Sequence, residues 1–293
     1  MRVRQERQKA VYRGTVSDAC GHVTVSLYLV LNMYVDQTVI EELHKLAIEA
    51  ASRAGALLMD RPIDLGVTSK STPTDVVTVM DKSAERLLEE FLLGARPDDG
   101  ILGEEGASVA GSSGVVWVVD PLDGTVNYLY DLPGWAVSVA AQYNGETVAG
   151  CVNAPSIGRL WSAALGTGAW LNGEAISCND PIEFKSSLIG TGFGYLTEKR
   201  MVQGRVVQEL LPQVRDIRRS GAAAVDLCYV ASGSLDGYFE SGLQPWDYAA
   251  GELIVREAGG VISDLLGGGA STEMTIAGGA EVHKSLLAFL TAL

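Results

Sequence analysis

The chain has 293 residues, 47% of them hydrophobic and 20% charged, a composition that supports a large buried core. Acidic residues outnumber basic ones 36 to 22, for a formal net charge of −14, and a surface of that sign repels phosphate backbones, so non-specific nucleic-acid binding is excluded as a first reading. Cys20, Cys151, Cys178 and Cys228 show no Cys-x-x-Cys spacing, which argues against a zinc ribbon or a thioredoxin-like site and fits reduced, buried thiols in a cytoplasmic enzyme.

Arg2, Arg4, Arg7, Lys9 and Arg13 precede an apolar stretch from Val23 to Val35, the order of a secretory signal. Ser26 and Asn32 interrupt that stretch, no small-x-small cleavage site follows, and it is too short to span a bilayer. The expectation is that residues 1–36 form an extension outside the folded part, with Met33 near the natural beginning and no membrane association.

Regular structure is predicted from Thr38, where Thr38-x-x-Glu41 has capping-box spacing. Apolar residues then recur with a helical period from Val39 to Leu58, and Arg61-Pro62 ends the helix. Residues 62–75, rich in Pro, Thr, Ser and Lys, predict a mobile loop or a hairpin. A second helix is predicted from Asp81 through Leu92, and Pro97-Asp98-Asp99-Gly100 is a turn. Strand-like segments follow at Ile101-Leu102, Val115–Val119, Trp135–Tyr143, Thr147–Val152 and Leu160–Ala164. Beyond residue 180 the pattern changes to a strand at Leu188-Ile189 and helices near 199–211, 221–232 and 247–258. A strand at Val261-Ile262 and a closing helix from Val282 to Leu290 complete it. The coarse picture is an α+β layered sandwich, divided into a half over residues 37–180 and a half over residues 181–293.

Val115-Val116-Trp117-Val118-Val119 is a continuous apolar run, as in a strand buried on both faces. It runs into Asp120-Pro121-Leu122-Asp123-Gly124-Thr125. Pro121 restricts the backbone and Gly124 permits a sharp turn, so two carboxylates and a carbonyl can aim at one point. Such an oxygen cradle suits hard cations, and the amides of Gly124 and Thr125 can open a helix toward an anion. Taken alone, the segment reads equally well as a turn with Asx caps. Gly103-Glu104-Glu105 alone is a solvated pair or a ligand source. Asp75-x-x-Thr78-x-x-Asp81 alone is a helix-capping cluster or part of a site. Asp247 alone is a helix cap or a ligand. His22, His44 and His283 lie away from all of these blocks, so histidine chemistry has little to draw on.

Taken together, the blocks resemble the inositol monophosphatase family, within the lithium-sensitive, magnesium-dependent phosphatases. The matching segments are Lys70-Ser71-Thr72-Pro73-Thr74-Asp75-Val76-Val77-Thr78 with Asp81, Gly103-Glu104-Glu105, and Trp117 to Asn127. Further on come Gly221-Ala222-Ala223-Ala224, Tyr238-Phe239-Glu240, and Trp246-Asp247-Tyr248-Ala249-Ala250-Gly251 with Glu257-Ala258-Gly259-Gly260. They occur in family order over roughly residues 38–290. The resemblance implies an α-β-α-β-α sandwich of the sugar phosphatase type, two or three Mg2+ ions per subunit and a homodimer.

It further implies that Glu104, Asp120, the Leu122 carbonyl, Asp123 and Asp247 bind the metal ions. Asp75 and Thr125, with Glu104, would act on the attacking water. Asp123, Gly124, Thr125, Ala223 and Glu240 would contact substrate, Lys70 would close over the site, and Glu105 and Thr78 would support it from one layer out. The implied reaction is hydrolysis of a phosphate monoester by a metal-activated water. Val126-Asn127 and Glu240 point to myo-inositol 1-phosphate among small phosphorylated polyols. Histidinol phosphate, fructose 1,6-bisphosphate and adenosine 3′,5′-bisphosphate are the alternatives. Some family members also act as regulatory partners of the transcription machinery, and Gly192-Phe193-Gly194-Tyr195 is expected at the pocket mouth.

Overall fold

The structure is a computed structural model that describes residues 36–293 except 71, 73 and 74. The expectations for residues 1–35 and for Ser71, Pro73 and Thr74 lie outside the described residues. Thr38–Leu293 forms one compact unit, within which the two sheets divide near residue 180.

The elements in chain order are α1 (Gln37–Met59), β1 (Thr68–Ser69), β2 (Val76–Val77), α2 (Val79–Ala95), β3 (Gly100–Gly103), β4 (Ser108–Val109), β5 (Val115–Asp123) and α3 (Thr125–Leu129). Then come β6 (Ala136–Tyr143), β7 (Glu146–Ala154), β8 (Arg159–Ala164), β9 (Gly168–Leu171), β10 (Glu174–Ala175), β11 (Leu188–Thr191), α4 (Thr197–Leu210) and β12 (Asp216–Arg218). The chain closes with α5 (Ala223–Ala231), β13 (Gly237–Glu240), α6 (Pro245–Glu257), β14 (Val261–Ser263), β15 (Thr275–Gly278) and α7 (Ala280–Thr291).

An eight-stranded sheet runs β10-β9-β8-β7-β6-β5-β3-β4, and a five-stranded sheet runs β12-β11-β13-β15-β14. In the first sheet β5 pairs parallel with β3 and antiparallel with β6. Helices α5 and α6 lie between the sheets. Their faces, including Ala224, Leu227, Ala250, Leu253 and Ile254, share one core with Val118, Ala140, Val152 and Trp161 of the large sheet. α7 packs on the far side of the small sheet, where Val282 and Leu286 meet Ile189 and Ile276. The order is the layered sandwich expected, and apolar burial of this kind is the main stabilising term.

Several predicted boundaries shift for physical reasons. α1 begins at Gln37, so Thr38 sits inside its first turn and is not its cap. α2 begins at Val79 rather than at Asp81, because Thr78 caps it: the Met80 amide donates to Thr78 Oγ1, and the Thr78 amide donates to Asp81 Oδ2. β5 continues through the expected turn to Asp123, with its register slipping between Asp120 and Asp123. The two-residue strands β1, β2, β4 and β10 were not expected individually; β1 and β2 realise the hairpin option for residues 62–75. No described helix is long and apolar enough to cross a membrane.

Candidate active site

The site starts from how β5 is anchored. Trp117 and Asp99 are fully buried, and the Trp117 indole N–H donates to Asp99 Oδ2 at 3.0 Å. Arg96 and the Ser113 hydroxyl also donate to Asp99. A buried carboxylate satisfied in this way locks the strand's entry. The parallel register sets Gly103 beside Val119, so Glu104, where β3 ends, comes next to Asp120, which stays paired with Ser138 of β6.

At Asp120 the regular pairing breaks. Asp120 Oδ1 accepts the Leu122 amide at 2.9 Å, closing the turn. Gly124 takes a left-handed conformation with φ 86, which glycine adopts without steric penalty. A side chain there would also press on Ala222, the Gly221 carbonyl and Trp135. That turn delivers Asp123 to the start of α5, where the Ala223 and Ala224 amides donate to its two oxygens at 3.2 and 2.7 Å. Ala223, expected to offer its backbone to substrate, therefore gives its amide to Asp123.

Asp247 arrives on the first turn of α6. Its Oδ2 accepts the Gln244 amide at 2.6 Å in a capping box. Ser138 of β6 donates to the Trp246 carbonyl, tying this turn to the large sheet. The helix-capping reading of Asp247 and its place in the site are both realised.

Glu104, Asp120, Leu122, Asp123, Gly124, Thr125, Glu240, Asp247, Lys70 and Asp75 all line one cavity of about 410 Å³. Ala223 and the predicted mouth residues Gly192–Tyr195 line it as well. The carboxylates are electrostatically costly together. Burial, then Glu104, Asp123 and Asp247, push the Asp120 carboxyl well above its usual range. Burial, then Asp247, does the same to Asp123. Burial raises Asp247 to about 7, with Glu104 and Glu240 adding to it and the Gln244 amide opposing it.

Lys70 supplies a counter-charge: its Nζ donates to Glu104 at 2.8 Å and also to Glu105. Burial alone would lower the Lys70 pKa, but the two glutamates hold it above its ordinary value. The cradle is a set of hard oxygen donors with more negative charge than one lysine balances, which fits divalent cations bound through carboxylates and a carbonyl. Among the described residues, no three His, Cys, Asp or Glu side chains already form a closed coordination cluster.

One residue of this region was missed: beside Asp75, which lines the cavity, Asp81 meets Thr125. Thr125 Oγ1 donates to Asp81 Oδ1 at 3.0 Å and lies 3.1 Å from the Leu122 carbonyl. Asp81 is fully buried, and burial raises its pKa, against the hydrogen bonds from Thr78 and Thr125. Thr78 supports the site by donating its amide and hydroxyl to Asp81 Oδ2.

A second residue was missed. Glu85 of α2 is buried, and its Oε1 accepts the Glu105 amide at 2.9 Å, fixing the Glu104-Glu105 turn. Glu105 itself is pushed to about 7, first by burial and then against the pull of Lys70. The signal for Asp81 and Glu85 was present: both fall on the same helical stripe as Ala84, Leu88 and Leu92. Carboxylates on a buried stripe must be partnered.

Comparison with known proteins agrees with this geometry. Residues 39–292 match the inositol monophosphatase family. An inositol-1-monophosphatase from Mycobacterium bovis is 46% identical over 238 residues, covering 78% of this chain and 82% of that protein. A protein from Escherichia coli K12 called Nus factor SuhB is 39% identical over 250 residues, covering 83% and 93%. The crystal structure of extragenic suppressor protein suhB from Bartonella henselae superposes with a TM-score of 0.81 at 35% identity, covering 85% of this chain and 98% of that one.

Proposed function

The chain belongs to the inositol monophosphatase family, and on that premise we propose that it converts myo-inositol 1-phosphate to inositol and phosphate, using two or three Mg2+ ions. It is a phosphoric monoester hydrolase. The substrate reading is supported by the 46% identical relative named as an inositol-1-monophosphatase and by Glu240, an acceptor for hydroxyls in the lining of the same cavity.

Glu104, Asp120, the Leu122 carbonyl, Asp123 and Asp247 would hold the cations. Bound divalent cations neutralise the phosphate dianion, acidify a water and stabilise the leaving oxygen. The amides of Gly124 and Thr125 would donate to phosphate oxygens. Thr125 Oγ1 has two acceptors within reach, Asp81 Oδ1 and the Leu122 carbonyl; with its hydrogen on Asp81 Oδ1, its lone pairs accept from a water and turn that water's own lone pair toward phosphorus. Asp81, with its proton affinity raised by burial, takes up the proton released along this line. Asp81 thus joins Asp75 in the role expected there, and the observation that carries the assignment is the Thr125–Asp81 hydrogen bond. Glu240, which accepts from the Tyr238 hydroxyl, offers its remaining lone pairs to hydroxyls of the polyol.

The family relationship also supports a homodimer, inhibition by lithium and a cytoplasmic location. Steady-state hydrolysis of an ester panel with magnesium tests the substrate. Inositol 1-phosphate should give the highest kcat/KM, and a higher value for histidinol phosphate, fructose 1,6-bisphosphate or adenosine 3′,5′-bisphosphate overturns the assignment. A second reading, a regulatory binding role beside catalysis, draws on the relative called a Nus factor. An Asp123→Asn variant that still captures a specific partner and rescues a deletion strain would support it.

A further inference from the structure

The cavity wall around Glu240 holds more structure than an acceptor for hydroxyls requires. Glu240 ends β13, next to Gly192, which follows β11. The two strands run parallel with Thr191 opposite Phe239, so Gly192 and Glu240 come level. A Cβ on Gly192 would overlap the Glu240 carboxylate, so the bare Cα is what gives that carboxylate its place. The Tyr238 hydroxyl donates to Glu240 Oε2 from the same strand.

Asp226, on the first turn of α5, lies close enough to Glu240 for the two charges to oppose each other. It also lines the cavity and is 2% exposed. Its Oδ1 is buried without a hydrogen-bond partner, while the Ser220 hydroxyl and amide hold the carboxyl from the other side. A buried acceptor left unpaired costs about 1–3 kcal/mol, which a fold retains where the group does something else. Arg219 lines the same cavity and attracts both carboxylates. Glu240 therefore has a like charge, Asp226, and an opposite one, Arg219, within electrostatic reach, with its room cleared by a glycine.

We propose that Gly192 and Asp226 are positioning residues that hold Glu240 in the one placement where it reads the hydroxyls of a polyol leaving group, and so set selectivity for polyol esters over phosphate esters without hydroxyls. This rests on the hydrolase reading above. Among the described residues neither is hydrogen-bonded to Thr125, Asp120 or Asp123, although the Asp226 charge reaches Asp123. Gly192 acts by absence of volume. Asp226 acts by its charge on Glu240 and by holding Ser220, the residue next to Arg219.

The test compares Asp226→Asn and Gly192→Ala with wild type on inositol 1-phosphate and on p-nitrophenyl phosphate, both with magnesium. In each variant the ratio of kcat/KM for the polyol ester to that for the hydroxyl-free ester should fall roughly tenfold, the scale of discrimination one well-placed polar contact gives. The fall should lie in KM for the polyol ester, and the competitive inhibition constant of inorganic phosphate should move less than about twofold. Asp226→Glu, which keeps the charge, should recover part of the ratio. A ratio unchanged in both variants, or an equal loss on both esters, overturns the proposal. Wild-type protein inert toward both esters would instead overturn the hydrolase reading. In that event, a thermal shift induced by myo-inositol and weakened in Asp226→Asn supports the wall, and an equal shift in both overturns it.

Discussion

Thr125 and Asp81 are 44 residues apart, yet the threonine hydroxyl donates to the aspartate at 3.0 Å. The same carboxylate caps α2 through its other oxygen. One side chain thus fixes the start of a helix and receives the hydroxyl of a residue that lines the cavity. Asp81→Asn should lower kcat by roughly 10²–10⁴, the usual worth of a positioned base. It should cost only about 1 kcal/mol of stability, because the amide oxygen can still serve the cap. Thr125→Ser should keep most activity and Thr125→Val should not. Steady-state kinetics with thermal melts check this, and an Asp81→Asn enzyme of near-normal turnover would refute it.

Asp123→Asn and Asp247→Asn each remove one charge from a crowded cradle. Transition-state stabilisation by bound cations amounts to several kcal/mol, so loss of a ligand should cost roughly a hundredfold or more in kcat/KM. The metal-free variants should melt no lower than wild type, since burial and neighbouring carboxylates already oppose ionisation at both positions. Calorimetric titration with magnesium should show weaker binding; unaltered binding in both variants would rule out the ligand assignment.

The pH dependence of stability without metal follows from three buried acids. Burial, as the leading cause, holds Glu105, Asp226 and Asp247 at about 7, against ordinary values of 4.5 for Glu and 3.8 for Asp. Between those limits the folded state binds more protons than the unfolded one, so stability falls as pH rises through that window, and Asp120 and Asp123, pushed up in the same direction, add to the fall. Melting temperatures from pH 5 to 8 in chelator should decline. Magnesium should flatten the curve, because bound cations favour the ionised forms. A melting temperature that climbs over this range in chelator would contradict the buried-acid account.

Lys70→Met removes the ammonium shared by Glu104 and Glu105. Both glutamates then lose their shared counter-charge, at a cost of about 1–2 kcal/mol for a partly buried pair. Without metal the variant should melt below wild type, and magnesium should raise its melting temperature by a larger increment. Equal increments in the two proteins would show that Lys70 and the cations do not share those carboxylates.

Asp99→Ala tests the anchor of β5. The indole N–H, the Ser113 hydroxyl and Arg96 lose their common acceptor, so denaturant melts should show a loss of about 3 kcal/mol. KM of the folded fraction should stay close to wild type, because the anchor lies at the far end of the strand.

Much of the site was legible because it is local. Asp120 to Thr125 lie on one turn, and their spacing alone limits what their side chains can reach. Glu104 and Asp247 were legible as capped or turned carboxylates at the ends of apolar segments. The part of Asp81 was not. It sits in the first turn of α2, and whether it meets Thr125 depends on how that helix is laid against β5. Glu85 was hidden for the same reason, although its place on the buried stripe of α2 marked it as needing a partner. The short strands β1, β4 and β10 carry too few residues for alternation to register. They form because neighbouring strands present free edges.

The slip in register between Asp120 and Asp123 lies just past the last pairing of β5 with β3, at Gly103 and Val119, and is held by β6 on the other side. Asp120 and Asp123 pair with Ser138 and Ala136 of that one strand. Separating the two carboxylates means breaking this pairing, and the repulsion between them is borne by the stability of the β5–β6 ladder. In hydrogen exchange the amides of β5 should open only with global unfolding. Magnesium should slow their exchange by the full increment it adds to stability, so that one amide deep in this strand records the occupancy of the active site.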